Sequence, residues 1–300
     1  MDIIKLEQLI SVVKSRPRKR LVAAFANDDH TISAVHAAVQ MGMIEATLVG
    51  DATLIHSTCK NLGIDSTLFH IVHEPVDTAA ALLSCDFIHR GEGDILMKGS
   101  LSTDKYMRAI LNKEKGLCPP NALLTHVAVL ELPSYHKLLF ISDCAIIPQP
   151  DFKQKLYIMN LLIRTARSLG IVQPKVAILS ATEQISPAMQ STVEAAALAQ
   201  MVQHGQIAHA LADGPLSLDL AIDRETASLK KYESQVAGDA DCLLFPNIES
   251  GNIFYKACTK FGDAHVGAFL AGAKVPCVLS SRGDSVQTKL YSIAMSAISQ

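Results

Sequence analysis

Apolar residues along the chain fall into two alternating patterns, short continuous runs and longer stretches in which they recur every three or four positions. The runs Leu21–Phe25, Thr47–Gly50, Leu68–Val72 and Asp94–Met97 predict buried strands. Between them, the spacing of Ile32, Val35 and Val39 predicts a helix over residues 29–41. Further helices are predicted up to about Leu62, over 77–89 and over Thr103–Leu111. Strands separated by helix-length segments are the pattern of βαβ units on a parallel sheet.

The alternation breaks once. Two apolar runs, Ala122–Leu132 and Lys137–Ile141, are joined only by Pro133-Ser134-Tyr135-His136, too short for a crossover helix, so they are expected to be antiparallel. This break marks a domain boundary, giving residues 1–136 and 137–280 as two α/β domains. Alternation then resumes, with helices over 152–169, 187–202, after Leu216 and over 252–261, and strands at Val176–Leu179, Ile207–Leu211 and Cys242–Phe245. The chain closes with an apolar strand, Val275–Ser280, a polar turn, Ser281-Arg282-Gly283-Asp284, and a helix whose apolar face runs through Val286, Leu290, Ile293, Ala294 and Ala297.

Composition narrows the class. With 300 residues, 49% hydrophobic and 19% charged, the chain can bury a sizeable core without staples. A net charge of -2 offers no broad footprint for nucleic acid or an anionic membrane, and aromatics at 5% leave few stacking platforms. Seven cysteines without a C-x-x-C pair fit a reducing compartment. No apolar run is long enough to span a bilayer, so the expectation is a cytoplasmic protein.

Candidate chemistry gathers at strand ends. Lys98-Gly99-Ser100, Ser142-Asp143-Cys144, Asp213-Gly214-Pro215, Asn247 to Asn252 and Ser281 to Asp284 all follow predicted strands, where parallel α/β sheets bind ligands. Each loop also has a plain reading: Asp213 and Asn252 suit turns or helix caps, and Asp284 or Ser285 could cap the last helix. Lys98 is not turn chemistry, although a lysine can snorkel past an apolar surface. Cys144 reads as buried wall rather than nucleophile. His56 and Cys59 have no second pair at ligand spacing, so no metal is expected. The phosphate-loop and nucleophile-elbow patterns are absent.

In order along the chain, Asn27-Asp28-Asp29, Asp143-Cys144-Ala145, Ser180 with Glu183, Ala212-Asp213-Gly214-Pro215-Leu216 with Asp219, Glu249-Ser250-Gly251-Asn252 with Tyr255-Lys256, and Val275-Pro276 to Asp284 with Lys289 resemble the phosphate acetyltransferase and phosphate butyryltransferase family. The resemblance covers residue 20 to the end. It implies two α/β/α domains with mostly parallel sheets and an interdomain cleft, similar to isocitrate and isopropylmalate dehydrogenases. In that arrangement residues 281–300 return to the N-terminal domain, and the usual assembly is a homodimer or higher homo-oligomer.

The implied reaction is reversible acyl transfer between coenzyme A and inorganic phosphate, with the thioester as substrate and no permanent cofactor. The family's serine–arginine pair falls on Ser281 and Arg282, and a further arginine on Arg108. An aspartate proposed as base in the acetyl branch aligns with Thr288; the nearby carboxylate here is Asp284, as in the butyryl branch, and either Asp284 or Asp213 could take the thiol proton in reverse. Lys98, Asp143, Cys144, Gly214, Pro215, Asn252 and Gly283 complete the expected substrate contacts. Two rivals stand beside this reading: a metal- and NAD-dependent dehydrogenase of similar fold, and a non-catalytic acyl-CoA-binding protein.

Overall fold

The computed structural model describes residues 3–120, 122–280 and 284–299. The chain divides into two units, one made of the residues up to Lys5 with Thr125–His265, the other of Leu6–Leu124 with the chain from Val266 onward.

The second of these starts with helix α1 (Leu6–Lys14), then strand β1 (Lys19–Ala24), α2 (Asp29–Gln40), β2 (Ile44–Gly50), α3 (Ala52–Leu62), β3 (His70–His73), α4 (Asp77–His89), β4 (Ile95–Lys98) and α5 (Thr103–Ile110). The predicted βαβ alternation is therefore present. β1 is parallel to both β2 and β4, and β2 is parallel to β3. Central β1 buries Leu21, Val22, Ala23 and Ala24 completely, as a strand covered on both faces must.

The first-described unit follows with β5 (Thr125–Glu131), β6 (Leu139–Ser142), α6 (Phe152–Ser168), β7 (Lys175–Leu179), α7 (Gln190–Gln203), β8 (Leu211–Leu216), α8 (Leu218–Ile222), α9 (Arg224–Leu229), β9 (Cys242–Leu244) and α10 (Ile248–Phe261). Its strand order is β5-β6-β9-β7-β8. β5 and β6 are antiparallel and the other pairs parallel.

The chain ends in β10 (His265–Ala271), β11 (Cys277–Val278) and α11 (Val286–Ile298). β11 runs antiparallel to β10 and parallel to β4, which gives the order β3-β2-β1-β4-β11-β10. α11 is buried at every position from Lys289 to Ile298 and packs against α1 and α2. β10 lies tightly on α11. A Cβ on Gly267 would stand 2.9 Å from Met295 Cγ and 3.0 Å from the Tyr291 carbonyl, and Ser292 Oγ accepts from Ala268 N at 3.0 Å.

These contacts correct the sequence reading in two respects. The joint at Pro133–His136 is a hairpin inside one unit, because β5 pairs with β6, so the first boundary falls at 124/125 instead of 136/137. The return to the N-terminal unit comes at Val266 and not at 281, since β10 and β11 bind β4 and α11; β10 had no counterpart in the apolar pattern as read. Each sheet is also mixed: within a mostly parallel set, one antiparallel pair stands among the described strands.

Candidate active site

Asp28 caps α2 with Oδ1, which accepts from Thr31 N at 2.9 Å. Its Oδ2 is buried with no hydrogen-bond partner among the described residues. Asn27 beside it accepts from Asp51 N at 2.9 Å and so ties the end of β1 to the end of β2.

Lys98 closes β4. It is 3% exposed, which rules out snorkelling, and its Nζ donates to the Gly99 carbonyl at 3.3 Å. Gly99 N donates to Ala24 O and Ser100 N to Phe25 O, both at 2.9 Å, so this turn is fastened to the end of β1. A Cβ on Gly99 would collide with the Phe25 carbonyl. Backbone can pass here only as glycine.

β11 pairs with β4 one residue short of Lys98, which brings Ser280 to the same strand ends. Ser281, Arg282 and Gly283 lie outside the described residues. Beyond them, Ser285 caps α11, accepting from Thr288 N at 3.1 Å. The capping role open to Asp284 is thus taken by its neighbour. Lys289, 2% exposed, donates to Ser280 Oγ at 3.2 Å. Burial pushes its ammonium toward neutrality, while Asp284 and Asp28 act to hold the proton. Arg108 is paired with Asp104 at 2.9 Å on the surface of α5, its side chain 78% exposed.

In the other unit, Asp143 and Cys144 follow β6. Asp143 accepts from Ala145 N at 2.8 Å, Ile146 N at 3.0 Å, Ile147 N at 3.3 Å and the Thr125 hydroxyl at 2.9 Å. Both carboxylate oxygens are committed to holding the loop. The Cys144 side chain is 1% exposed, burial pushes its thiol well up, and Sγ lies 3.1 Å from His126 Nδ1. Both residues form the wall of a bend.

That bend abuts α10. Asn247 caps the helix by accepting from Ser250 N at 3.0 Å, so α10 starts at Ile248 and not at Asn252 as expected. Gly251 and Asn252 then face the bend, with Asn252 Nδ2 donating to the Cys144 carbonyl at 2.9 Å.

Asp213-Gly214-Pro215 is not a loop after a strand. It lies within β8, where Asp213 is level with Ala177 of β7. The apolar run Ile207–Leu211 predicts a strand that ends too early, because Gly-Pro ordinarily signals a turn. A Cβ on Gly214 would approach Ile178 Cβ to 2.8 Å, so glycine lets the strand cross β7 closely. Asp213 Oδ1 accepts from Gly214 N at 2.8 Å. Beyond β8, Glu183 accepts from the Ser217 hydroxyl and lies 3.4 Å from Lys230 Nζ, which also pairs with Asp219 at 3.3 Å. Ser217, opposed by burial, leads in holding Glu183 below the usual carboxylate range.

The structure thus brings Lys98 and Ser280 to the same strand ends, with Lys289 bonded to Ser280, in one unit, and Asp143, Cys144, Gly251 and Asn252 together in the other. His126 and Lys289 carried no assigned role in the sequence, since each sits in a largely apolar segment. Among the described residues no three His, Cys, Asp or Glu are grouped to hold a metal, and no helix is long and apolar enough to cross a membrane.

A family model described as "Phosphate acetyl/butaryl transferase" matches residues 65–297. The chain belongs to this phosphate acetyl/butyryl transferase family. As a member it is a phosphate acyltransferase. It is 41% identical over 291 residues to a phosphate butyryltransferase of Clostridium acetobutylicum, covering 97% of this chain and 96% of the relative. It is also 38% identical over 293 residues to a phosphate acetyltransferase of Thermotoga maritima, covering 98% and 99%.

Among solved structures it is similar to a branched-chain phosphotransacylase from Enterococcus faecalis, with TM-score 0.82, 30% identity and coverage of 94% and 98%. A 4-hydroxythreonine-4-phosphate dehydrogenase from Burkholderia phymatum shares the fold at TM-score 0.59 and 12% identity. The expected likeness to isocitrate and isopropylmalate dehydrogenases is corrected by these findings. The family fold is that of the phosphotransacylases, and the dehydrogenase that shares it more distantly is of another kind.

Proposed function

We propose that this chain moves a short-chain acyl group, butyryl or a near neighbour, reversibly between coenzyme A and inorganic phosphate. A phosphate oxygen attacks the thioester carbonyl, the tetrahedral oxyanion collapses, and the thiolate leaves. Arg282 and Arg108 hold the phosphate dianion, Ser281 donates to the oxyanion, and Asp284 or Asp213 takes the thiol proton in the reverse direction. Lys98, Gly283, Gly214, Pro215 and Asn252 shape the substrate site; Asp143 and Cys144 support it through the bend they form. The chemistry asks for orientation and charge, which these side chains supply, so coenzyme A enters as substrate and no resident cofactor is invoked. We further place the enzyme in the cytoplasm as a homodimer or larger homo-oligomer.

The observation that carries the reading is the 41% identity to a phosphate butyryltransferase along 97% of the chain. The acetyl-transferring relative, at 38%, leaves chain length to the butyryl-type features, Asp284 with Thr288 and Lys98-Gly99. Release of free thiol from acetyl-, propionyl- and butyryl-CoA with and without phosphate tests it. Phosphate-dependent release, fastest with butyryl-CoA, is expected. Equal release without phosphate would refute transfer, and a higher kcat/KM for acetyl-CoA would refute the butyryl assignment.

A further inference from the structure

Phe25 follows β1 in a left-handed backbone conformation, with φ of 57°. The other non-glycine residues with positive φ among those described, His209, Lys231 and Asp263, are polar and exposed on connecting segments. Those are ordinary places for the conformation. A bulky aromatic is not ordinary there, because its Cβ crowds the backbone.

The strain is held from both neighbouring strands. The Phe25 carbonyl accepts from Asn27 N at 3.0 Å, and from Ser100 N at 2.9 Å and Ser100 Oγ at 3.0 Å in the turn after β4. On the other side, at the end of β2, Ala26 N donates to Val49 O and Asn27 Oδ1 accepts from Asp51 N, both at 2.9 Å. Gly50 leaves room for this, since a Cβ there would collide with Asn27 Oδ1. Three strand ends thus fix Phe25 in a conformation that glycine adopts freely, and strain held this firmly clusters at functional sites.

The location agrees. In the order β3-β2-β1-β4-β11-β10 the chain runs from β1 to β2 and β3 on one side, then crosses to β4 on the other. The topological switch point, where parallel sheets bind ligands, therefore lies between the carboxyl ends of β1 and β4. Phe25 follows the first of these strands and Ser100 the second. Ala24 and Ala26 are completely buried, whereas the much larger Phe25 between them is only half-buried. The Phe25 carbonyl, Asn27 Oδ1 and the Ser100 hydroxyl are engaged with one another or with the strand ends, so what this turn offers a ligand is the apolar surface of the ring.

We propose that Phe25 is a specificity residue of the acyl site, its ring forming the wall against which the hydrocarbon tail of a short acyl thioester lies. The left-handed backbone keeps the ring out of the core and at the switch point. The inference rests on the acyl-transfer reading and names the side chain that limits acyl length.

The test is kcat/KM for acetyl-, butyryl- and hexanoyl-CoA in Phe25→Gly, Phe25→Ala and Phe25→Leu, with the phosphate KM and urea unfolding of each. Loss of the ring opens the wall, so Phe25→Gly and Phe25→Ala should raise the hexanoyl-to-butyryl ratio of kcat/KM by about tenfold or more, the scale of one methylene in an apolar pocket. The phosphate KM should stay within about twofold. Phe25→Leu, which keeps part of the wall, should move the ratio the same way by less. Phe25→Gly should resist urea better than Phe25→Ala, since the two differ only in the Cβ that strains the turn, and it carries the kinetic test should Phe25→Ala not fold.

Equal losses for all three thioesters would make Phe25 a packing residue or a contact of the coenzyme A portion, and would overturn the proposal. So would a ratio that falls, or a phosphate KM that rises with loss of the ring. Phe25→Ala as stable as Phe25→Gly would remove the strain on which the proposal stands. A wild-type chain without phosphate-dependent thiol release overturns the reaction reading and this inference with it; an active wild type whose variants keep its acyl preference overturns the inference alone.

Discussion

Asn252 donates from Nδ2 to the carbonyl oxygen of Cys144 at 2.9 Å, joining the first turn of α10 to the bend after β6 across 108 residues of chain. Gly251 makes the approach possible, because a Cβ there would collide with the Asp143 carbonyl and stand 3.2 Å from Cys144 Cα. Asn252→Ala strips the donor from a buried carbonyl and should cost about 1–3 kcal/mol. Asn252→Asp should cost more, since a carboxylate would face that oxygen. Urea unfolding of the two variants checks the order; equal stability of all three proteins would show that the bond does not hold the corner.

Cys144 invites a covalent mechanism in which its thiol takes the acyl group, with His126 Nδ1 at 3.1 Å as base. Burial argues against it, by closing access and by pushing the thiol well up, with Asp143 adding to the shift. Cys144→Ala should therefore keep kcat/KM within about tenfold, where loss of a true nucleophile costs on the order of 10⁶-fold. Its stability should fall by about 1 kcal/mol, as for small losses of buried volume. An acyl group trapped on Cys144 in a quenched reaction would contradict this.

Asp239 lies at the amino ends of the strands in its unit, ion-paired with Lys175 at 2.6 Å, His136 at 2.8 Å, Arg224 at 2.9 Å and Lys137 at 3.3 Å. Burial works against the charged form, but hydrogen bonds from Lys175, Arg224 and His136 and the charge of Lys137 overcome it and hold the carboxyl well below the usual carboxylate range. A depressed pKa contributes stability above the unfolded value, near 3.9, that is lost as pH falls toward the folded one. Asp239→Asn should thus be less stable at pH 7 by about 1 kcal/mol after allowing for solvent screening. The gap should begin to narrow below about pH 4 and go on narrowing as pH falls toward the folded value. Denaturation at pH 7, 5 and 3 measures it, and a gap independent of pH would assign the loss to packing.

How far the sequence was legible depends on whether local pattern and burial agree. β1 to β4 and their helices follow directly from apolar runs and 3.6-residue spacing, because each lies in a repeated βαβ frame. Asp213-Gly214-Pro215 misled, since Gly-Pro is ordinarily turn chemistry and only the close pass over Ile178 makes glycine a strand residue here. β10 escaped notice because its role comes from packing on α11 and pairing with β11, neither of which is local. The burial of Lys98 and Lys289 was equally illegible, a charged residue in an apolar stretch being read as solvent-seeking by default. Family motifs reached what pattern could not, the reaction, but not which side chains hold the loops.

Arg108 and Arg282 can be separated by what each change leaves intact. Arg108 forms an exposed pair with Asp104, so Arg108→Ala should alter stability by no more than about 0.5 kcal/mol. If it recruits phosphate from the surface, its loss should raise the phosphate KM and leave kcat nearly unchanged. Arg282→Ala should instead cut kcat/KM by about a hundredfold or more, the scale of losing one donor to a developing oxyanion. Similar kinetics for the two variants would undo this division of labour.

The proton acceptor is the remaining choice. Ser285 Oγ, and not Asp284, caps α11 by accepting from Thr288 N, and Asp213 Oδ1 accepts from Gly214 N at 2.8 Å. Asp284 is the acceptor we expect, as the carboxylate that follows the serine–arginine pair in sequence. Asparagine preserves either side chain's shape and its acceptor oxygen but cannot take a proton. Asp284→Asn should therefore lower kcat by about a hundredfold or more, as general acid–base catalysis contributes on the order of 10²-fold to 10⁴-fold. Asp213→Asn should keep the rate, because its hydrogen bond to Gly214 survives. The reverse pattern, with Asp213→Asn inactive and Asp284→Asn unchanged, would transfer the role to Asp213.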